Sequence, residues 1–250
     1  MANFKTHISF SSMLGIGYGV GAFFIWDVEL SHCVVAAGLC SLAGMLPDLD
    51  SDNGIPVRET LCLLAAVVPA LMIQRFIALG LNQEQIVLAS AGLYITIRFG
   101  VGKIFRRYTV HRGMWHSIPA AGIAGLAAFM LCMCPDFGVR LFKAWAVVIG
   151  FLSHLVLDEI YAVDLNNRRL PRLKRSFGTA LKFFGKSPWG NLTTYAKLAA
   201  LVFIAMSDAN IMAYFDRQPI EIEALSGTST EWVGELKMEV EQQVDALIRR

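Results

Sequence analysis

Seven blocks of this chain, Ser11–Trp26, His32–Leu46, Thr60–Leu81, Gln85–Val101, Ser117–Met133, Leu141–Tyr161 and Leu192–Ile211, are predominantly apolar around the full turn of any helix they could form. Such helices have no polar face to offer water, so they must lie in a large core or in lipid. A chain of 250 residues has too little polar material to enclose all seven. Charged residues amount to only 17%, against about 25% in soluble domains. Lipid is the solvent this pattern requires, and the expected fold class is all-α, a polytopic transmembrane helix bundle.

The first two blocks are short and glycine-rich, with Gly15, Gly17, Gly19 and Gly21 in the first, a composition that lets neighbouring backbones approach closely. The opening residues carry one lysine and no A-x-A-like cleavage site, so the N-terminus, His7 included, is expected to be retained rather than removed as a signal peptide. Cys33, Cys40, Cys62, Cys132 and Cys134 fall mostly within apolar runs, where a reduced cysteine behaves as a small hydrophobe. A redox or metal role for Cys132 and Cys134 is the alternative, but no second cysteine cluster completes a zinc pattern.

Three longer polar stretches, residues 47–59, 102–116 and 162–191, separate the blocks, while the alternate links are short. If each block crosses once, the N-terminus and all three stretches share one side. That side also collects the basic residues, among them Lys5, Arg58, Lys103, Arg106, Arg107 and the run from Arg168 to Lys186, whereas the other shows little beyond Arg140 and Lys143. Positive charge marks the cytoplasmic face, so an inner (cytoplasmic) membrane protein with its polar stretches in the cytoplasm is expected. The basic run serves this topology or, alternatively, a lipid-headgroup site. Residues 1–215 then form a transmembrane domain and 216–250 an acidic tail, in which Trp232, Leu236, Val240, Val244 and Leu247 recur at helical spacing. This amphipathic C-terminal helix is periplasmic if the last block spans and cytoplasmic if it does not; it would serve docking, oligomer contact or packing on the bundle.

The polar stretches carry chemistry. In Leu46-Pro47-Asp48-Leu49-Asp50-Ser51-Asp52, proline stops a helix, and alternation along an extended segment sets three carboxylates on one side with Leu49 facing away. They repel one another unless a cation sits among them; a solvated acidic turn is the plainer alternative. In His111-Arg112-Gly113-Met114-Trp115-His116-Ser117, glycine can bend the chain so that both imidazoles face one centre, and Ser117 is placed to cap the next helix with Pro119 in its first turn. Interfacial His and Trp at a helix entry would look the same. In Ser153-His154-Leu155-Val156-Leu157-Asp158, His154 and Asp158 stand four apart on one helical face within an apolar block. Ionisable groups at that depth are costly unless they face protein or an ion; a hydrogen-bonded His–Asp pair alone would also satisfy them.

Of five histidines, four (His7, His111, His116 and His154) fall beside these stretches, and only His32 lies elsewhere. With Asp48, Asp50 and Asp158 they form a mixed nitrogen and oxygen set suited to zinc, manganese or iron, with too many donors for one tetrahedral ion, so two or more metals are expected.

An early histidine, then L-P-D-L-D, H-R-G-x-x-H-S and S-H-L-x-L-D, interleaved with membrane helices, resembles the bacterial membrane-bound metal-dependent hydrolase family typified by the YdjM inner-membrane proteins. The resemblance covers about residues 1–165, and Asp-Glu-Ile-Tyr at 158–161 resembles the YdjM branch itself. It implies metal ligation by His7, Asp48, Asp50, His111, His116, His154 and Asp158, and a distant kinship to zinc-dependent phospholipase-like folds. Trp115 departs from the small polar residue that many family members carry there.

Together these readings predict hydrolysis of an ester, expectedly a phosphoester on a lipid or lipid-linked substrate reached from the inner leaflet, by water whose pKa the ions lower. Arg112 would hold a phosphate bidentately, and Asp50 or Asp52 would act as general base. Two alternatives stand beside this: a metal-stabilised membrane scaffold or stress-response protein without turnover, and an ion transporter using His154 and Asp158. The one-sided clustering of ligands speaks against transport, and the basic run lacks the interleaved aromatics of a nucleic-acid site. Reporter fusions after Arg107 and Leu170 are expected to fluoresce as cytoplasmic fusions and to lack alkaline phosphatase activity; phosphatase activity at either point would reverse the orientation.

Overall fold

In the computed structural model, which describes residues 3–50, 54–103, 113–164, 172–173, 178–208 and 211–212, the first helix starts well before its apolar block. The Asn3 side chain accepts the Thr6 backbone N–H at 2.8 Å, and α1 runs over Phe4–Trp26. That N-cap satisfies one of the donors a helix start leaves unpaired. It also draws His7 into the helix, where the sequence reading had set it ahead of the span.

The other helices follow the apolar blocks with shifted ends. They are α2 (Leu30–Ala43), α3 (Ile55–Ala78), α4 (Gln83–Ile95), α5 (Ile118–Leu131), α6 (Phe137–Ile160) and α7 (Pro188–Met206). A reciprocal Asn82–Gln85 capping box opens α4, which continues into a π-helical turn over Thr96–Val101. Ser117 caps α5 by accepting the Ala120 N–H, with Pro119 in the first turn as expected. Asp136 caps α6 through the Val139 N–H at 3.1 Å. Between α6 and α7, Val163–Asp164 pairs antiparallel with Arg172–Leu173. The protein is an all-α helical membrane bundle.

Among the described residues, three helices are long and apolar enough to cross a membrane: α1, residues Val57–Ala78 of α3, and α6. The 14-residue helices α2 and α5 extend about 21 Å at 1.5 Å per residue, short of an apolar core of about 30 Å. Leu46–Asp50 departs from expectation in kind. It is a 3-10 helix, not an extended strand. Successive side chains there turn by about 120°, so the alternation that was to line up the carboxylates does not hold, and Leu49 is buried against Val57 and Leu61.

Helix α6 is the centre of the bundle, packing against α1, α2 and α5, while α3 pairs with α4 and α5 with α7. Its Val147, Phe151 and Leu155 are buried with Ala120, Ala121, Ala124 and Ala128 of α5. Lipid offers apolar side chains as good a home as protein does, so helix association relies on close fit and polar contacts. Gly15 and Gly19 supply the fit between α1 and α2: a Cβ on Gly15 would stand 2.6 Å from the Ala37 carbonyl oxygen, and one on Gly19 2.9 Å from that of Cys33. Gly17 and Gly21 meet nothing. They share the outer side of α1 with Met13, Ile16 and Phe24, which are exposed.

At the end of the bundle where α6 begins, Arg140 is fully buried. Its guanidinium lies 4.2 Å from the Phe129 ring centroid and donates to the Phe129 carbonyl at 3.2 Å, while Arg75 donates to the Met130 carbonyl at 2.9 Å. Two cations thus serve the last carbonyls of α5, which its own backbone leaves unpaired. Arg140, counted by sequence among the far-side charges, is an internal group.

The chain divides into Met1–Met206 and Ser207–Arg250. The amphipathic C-terminal helix expected around Trp232–Leu247 lies outside the described residues. The glycine pattern makes a paired test. Gly15→Ala should destabilise the detergent-solubilised protein by about 1–3 kcal/mol through overpacking, whereas Gly17→Ala should stay within about 0.5 kcal/mol, as read from thermal unfolding of the two variants.

Candidate metal centre

Four separate elements bring side chains to the end of the bundle where α6 finishes. His7 comes from the first turns of α1, Asp48 from the 3-10 turn after α2, His116 from the turn before α5, and His154 and Asp158 from the last turns of α6. His7, His116, His154 and Asp158 are buried and Asp48 is half-buried.

His154 organises the group. Its Nδ1 lies 2.8 Å from the Gly44 carbonyl oxygen, which can only accept, so Nδ1 carries the proton and Nε2 presents a lone pair inward. Nε2 stands 3.6 Å from Asp48 Oδ1 and 3.9 Å from Asp158 Oδ2, and His7 Nε2 stands 3.4 Å from Asp158 Oδ1. The His7 and His154 rings stack at 3.7 Å between centroids, and His116 meets His154 edge-on at 5.8 Å.

These separations are informative in themselves. They exceed the roughly 2.7–3.2 Å of a good hydrogen bond and run upward, from 3.4 to 3.9 Å, from the edge of a zinc tetrahedron, about 3.3–3.4 Å for ligands near 2.0–2.1 Å from the ion. His154 Nε2, His7 Nδ1 and both Asp158 carboxylate oxygens are buried and make no hydrogen bond. Unpaired buried polar atoms are costly, more so in lipid, and a cation lodged among them removes the cost. Two sets of donor atoms, His7 with His154 and Asp158, and Asp48 with His116 and His154, each lie within 4.8 Å of one another. The donor chemistry fits a divalent transition metal, and the Nδ1-to-carbonyl bond is the usual outer support of a ligating histidine.

The local sequence explains why these elements meet. A Cβ on Gly150 would stand 2.1 Å from the Cys40 carbonyl oxygen, and one on Gly44 2.3 Å from Ser11 Cβ, so both glycines permit backbone approach. Ser11 donates to the Ser41 carbonyl at 3.1 Å, tying α1 to α2 one turn below His7. The Trp115 indole N–H donates to the Leu46 carbonyl at 2.8 Å while its ring stands edge-on to Phe151 at 5.9 Å. One side chain of the second motif therefore reaches the first motif and the helix that carries the third.

Of the residues singled out by sequence, His7, Asp48, His116, His154 and Asp158 converge. Asp50 ends the 3-10 turn, its side chain outside the described part, and Asp52, His111 and Arg112 lie outside the described residues altogether. His32 sits at the opposite end, 3.8 Å from Glu29. Sequence reasoning missed the roles of Trp115 and of the Gly44 carbonyl. A signal for the second existed: Gly19, Gly15, Ser11 and His7 on α1, and Gly150, His154 and Asp158 on α6, recur every four residues, the spacing that keeps small and polar groups on one helical face.

No curated protein and no solved structure matches the chain. A family model does: it matches residues 1–218 and is that of the YdjM inner membrane protein. Apolar helices long enough to span, a polar cluster built from the successive motifs, and this match over most of the sequence lead to one assignment: the chain belongs to the YdjM inner membrane protein family.

Proposed function

We propose that the protein is a multi-pass, inner-membrane, metal-dependent hydrolase acting on a phosphoester or lipid-linked substrate from the cytoplasmic leaflet. The observation that carries this reading is His154 Nε2, buried without a hydrogen bond and aimed at carboxylates too distant to bond it directly. Zinc suits the three imidazoles and two carboxylates best, with manganese or iron as alternatives. Such an ion supplies a Lewis acid for the ester oxygen and lowers the pKa of water toward neutrality.

This chain's own residues would divide the remaining work. His7, His116, His154, Asp48 and Asp158 hold the ion. Because Nε2 of His154 has a single lone pair, the two donor sets that share it describe one centre; a second ion would draw on Asp50 and His111. Asp52 or Asp50 would take the proton from water, and Arg112, next to His111 in sequence, would grip a phosphate bidentately. The Gly44 carbonyl holds the His154 ring in the ligating tautomer.

A scaffold with a closed metal site is the second reading, favoured by the burial of His7, His116, His154 and Asp158, since donors filling every position leave none for water. Purified protein should contain at least one divalent transition ion per chain by elemental analysis, and His154→Ala or Asp158→Ala should reduce it at least tenfold. An ion-free wild type would sink both readings. Hydrolysis of lipid phosphates that disappears in the same variants selects the enzyme; metal without turnover across a broad lipid-phosphate panel selects the scaffold.

Trp115 offers a finer check. Trp115→Phe keeps an aromatic ring but loses the hydrogen bond to Leu46, two residues before Asp48. Losing a hydrogen bond made directly to a metal ligand typically weakens metal affinity by about 10–100-fold, and this bond acts one step further out, through the backbone ahead of Asp48. A competition titration with a chelator should show a decrease at the lower end of that range, and unchanged affinity would remove Trp115 from the support of the site.

A further inference from the structure

Residues 178–187, just ahead of α7, form a loop that is held from several directions. Glu159 accepts the backbone N–H groups of Gly178 and Ala180. The Lys182 carbonyl accepts the Ile118 N–H at 3.1 Å, and the Tyr195 hydroxyl donates to the Phe183 carbonyl at 2.9 Å. Asn191 and Gly185 bond in both directions, at 2.7 and 3.1 Å. The conformation is therefore set by the protein before anything else binds.

The large side chains of this stretch are nonetheless turned outward. Leu181, Phe183 and Phe184 are exposed, as is Trp189 at the start of α7, with 72% of its surface accessible. Phe184 packs only partly, its ring 5.4 Å from that of Tyr195. Lys186 stands exposed among them. Large apolar side chains exposed this close together in sequence on a pinned loop call for an apolar partner.

We propose that residues 181–192 are a preformed wedge that seats at the headgroup and acyl boundary of an anionic leaflet. The chain is a membrane protein, so a bilayer is at hand. Trp189 has the apolar body and polar edge that concentrate at that boundary, Phe183, Phe184 and Leu181 suit the apolar side of it, and a lysine set among them complements anionic headgroups. The patch continues along α7 into Leu192, itself exposed. Its anchors fix its depth relative to the polar cluster: Glu159 follows Asp158, and Ile118 follows His116 by two residues. The wedge therefore holds that end of the bundle at headgroup level. This inference rests on the loop's own contacts and stands whether or not the centre binds an ion.

Photo-crosslinking tests it on the full-length protein, in vesicles of equal parts phosphatidylcholine and phosphatidylglycerol, with a diazirine near the glycerol of one lipid or the other. Peptides covering 181–192 should carry lipid adducts, several-fold more from phosphatidylglycerol than from phosphatidylcholine. Lys186→Gln should lower that preference up to about fivefold, the equivalent of about 1 kcal/mol for a lysine near an anionic surface. Adducts at Phe24 or Trp26, exposed at the far end of α1 near the other glycerol level, report correct insertion. Labelling of α1 without labelling of 181–192 would overturn the proposal, as would equal labelling by the two lipids.

Discussion

The bundle depends on backbone contact between α2 and α6. At Gly150 the two helices are so close that even a methyl group would collide with the Cys40 carbonyl. One turn further along α6, this closeness lets His154 reach the Gly44 carbonyl at the end of α2. One more turn brings Asp158 beside His7. Dispersion contacts and interhelical hydrogen bonds replace the hydrophobic effect as the driving force between helices in lipid, so small residues at the crossing decide how near polar groups can come. A larger side chain at Gly150 would separate α6 from α2 and pull His154 away from its carbonyl partner.

The two ends of the bundle treat buried polar groups differently. Where α6 begins, Arg140 lies inside the protein against the Phe129 ring and carbonyl, and Arg75 serves the carbonyl of Met130. These charges answer an electrostatic need of the fold, the unpaired C-terminal carbonyls of α5. Where α6 ends, imidazole and carboxylate atoms converge at distances too long for hydrogen bonds, with several buried donors and acceptors unsatisfied. A bundle that required only stability would bury more leucine there. Polar groups retained at such cost within a membrane protein are the ordinary mark of a functional site.

Much of the site was legible because its chemistry is local in sequence. His154 and Asp158 share a face by spacing alone, and Ser117 announces a helix start. Other features were not. Proline and alternating aspartates around Leu49 have the pattern of an extended segment, but burial of Leu49 against Val57 and Leu61 favours a 3-10 turn, which keeps Asp48 near His154. His7 looked like a residue ahead of a span because apolar content begins later; the Asn3 cap extends the helix over it. Trp115 is an unremarkable interfacial aromatic in sequence, and its bond to Leu46 links residues 69 positions apart.

The sequence by itself determined the solvent, the helical class and the family, since each follows from the order and apolarity of short segments and requires no knowledge of their neighbours. Tertiary structure decided which donors meet, which nitrogen of His154 is free, and which glycines of α1 are contacts and which face outward. Those outcomes depend on distances between segments far apart in the chain, and such distances are set by how closely backbones can pack, a property of pairs of helices that no single helix carries.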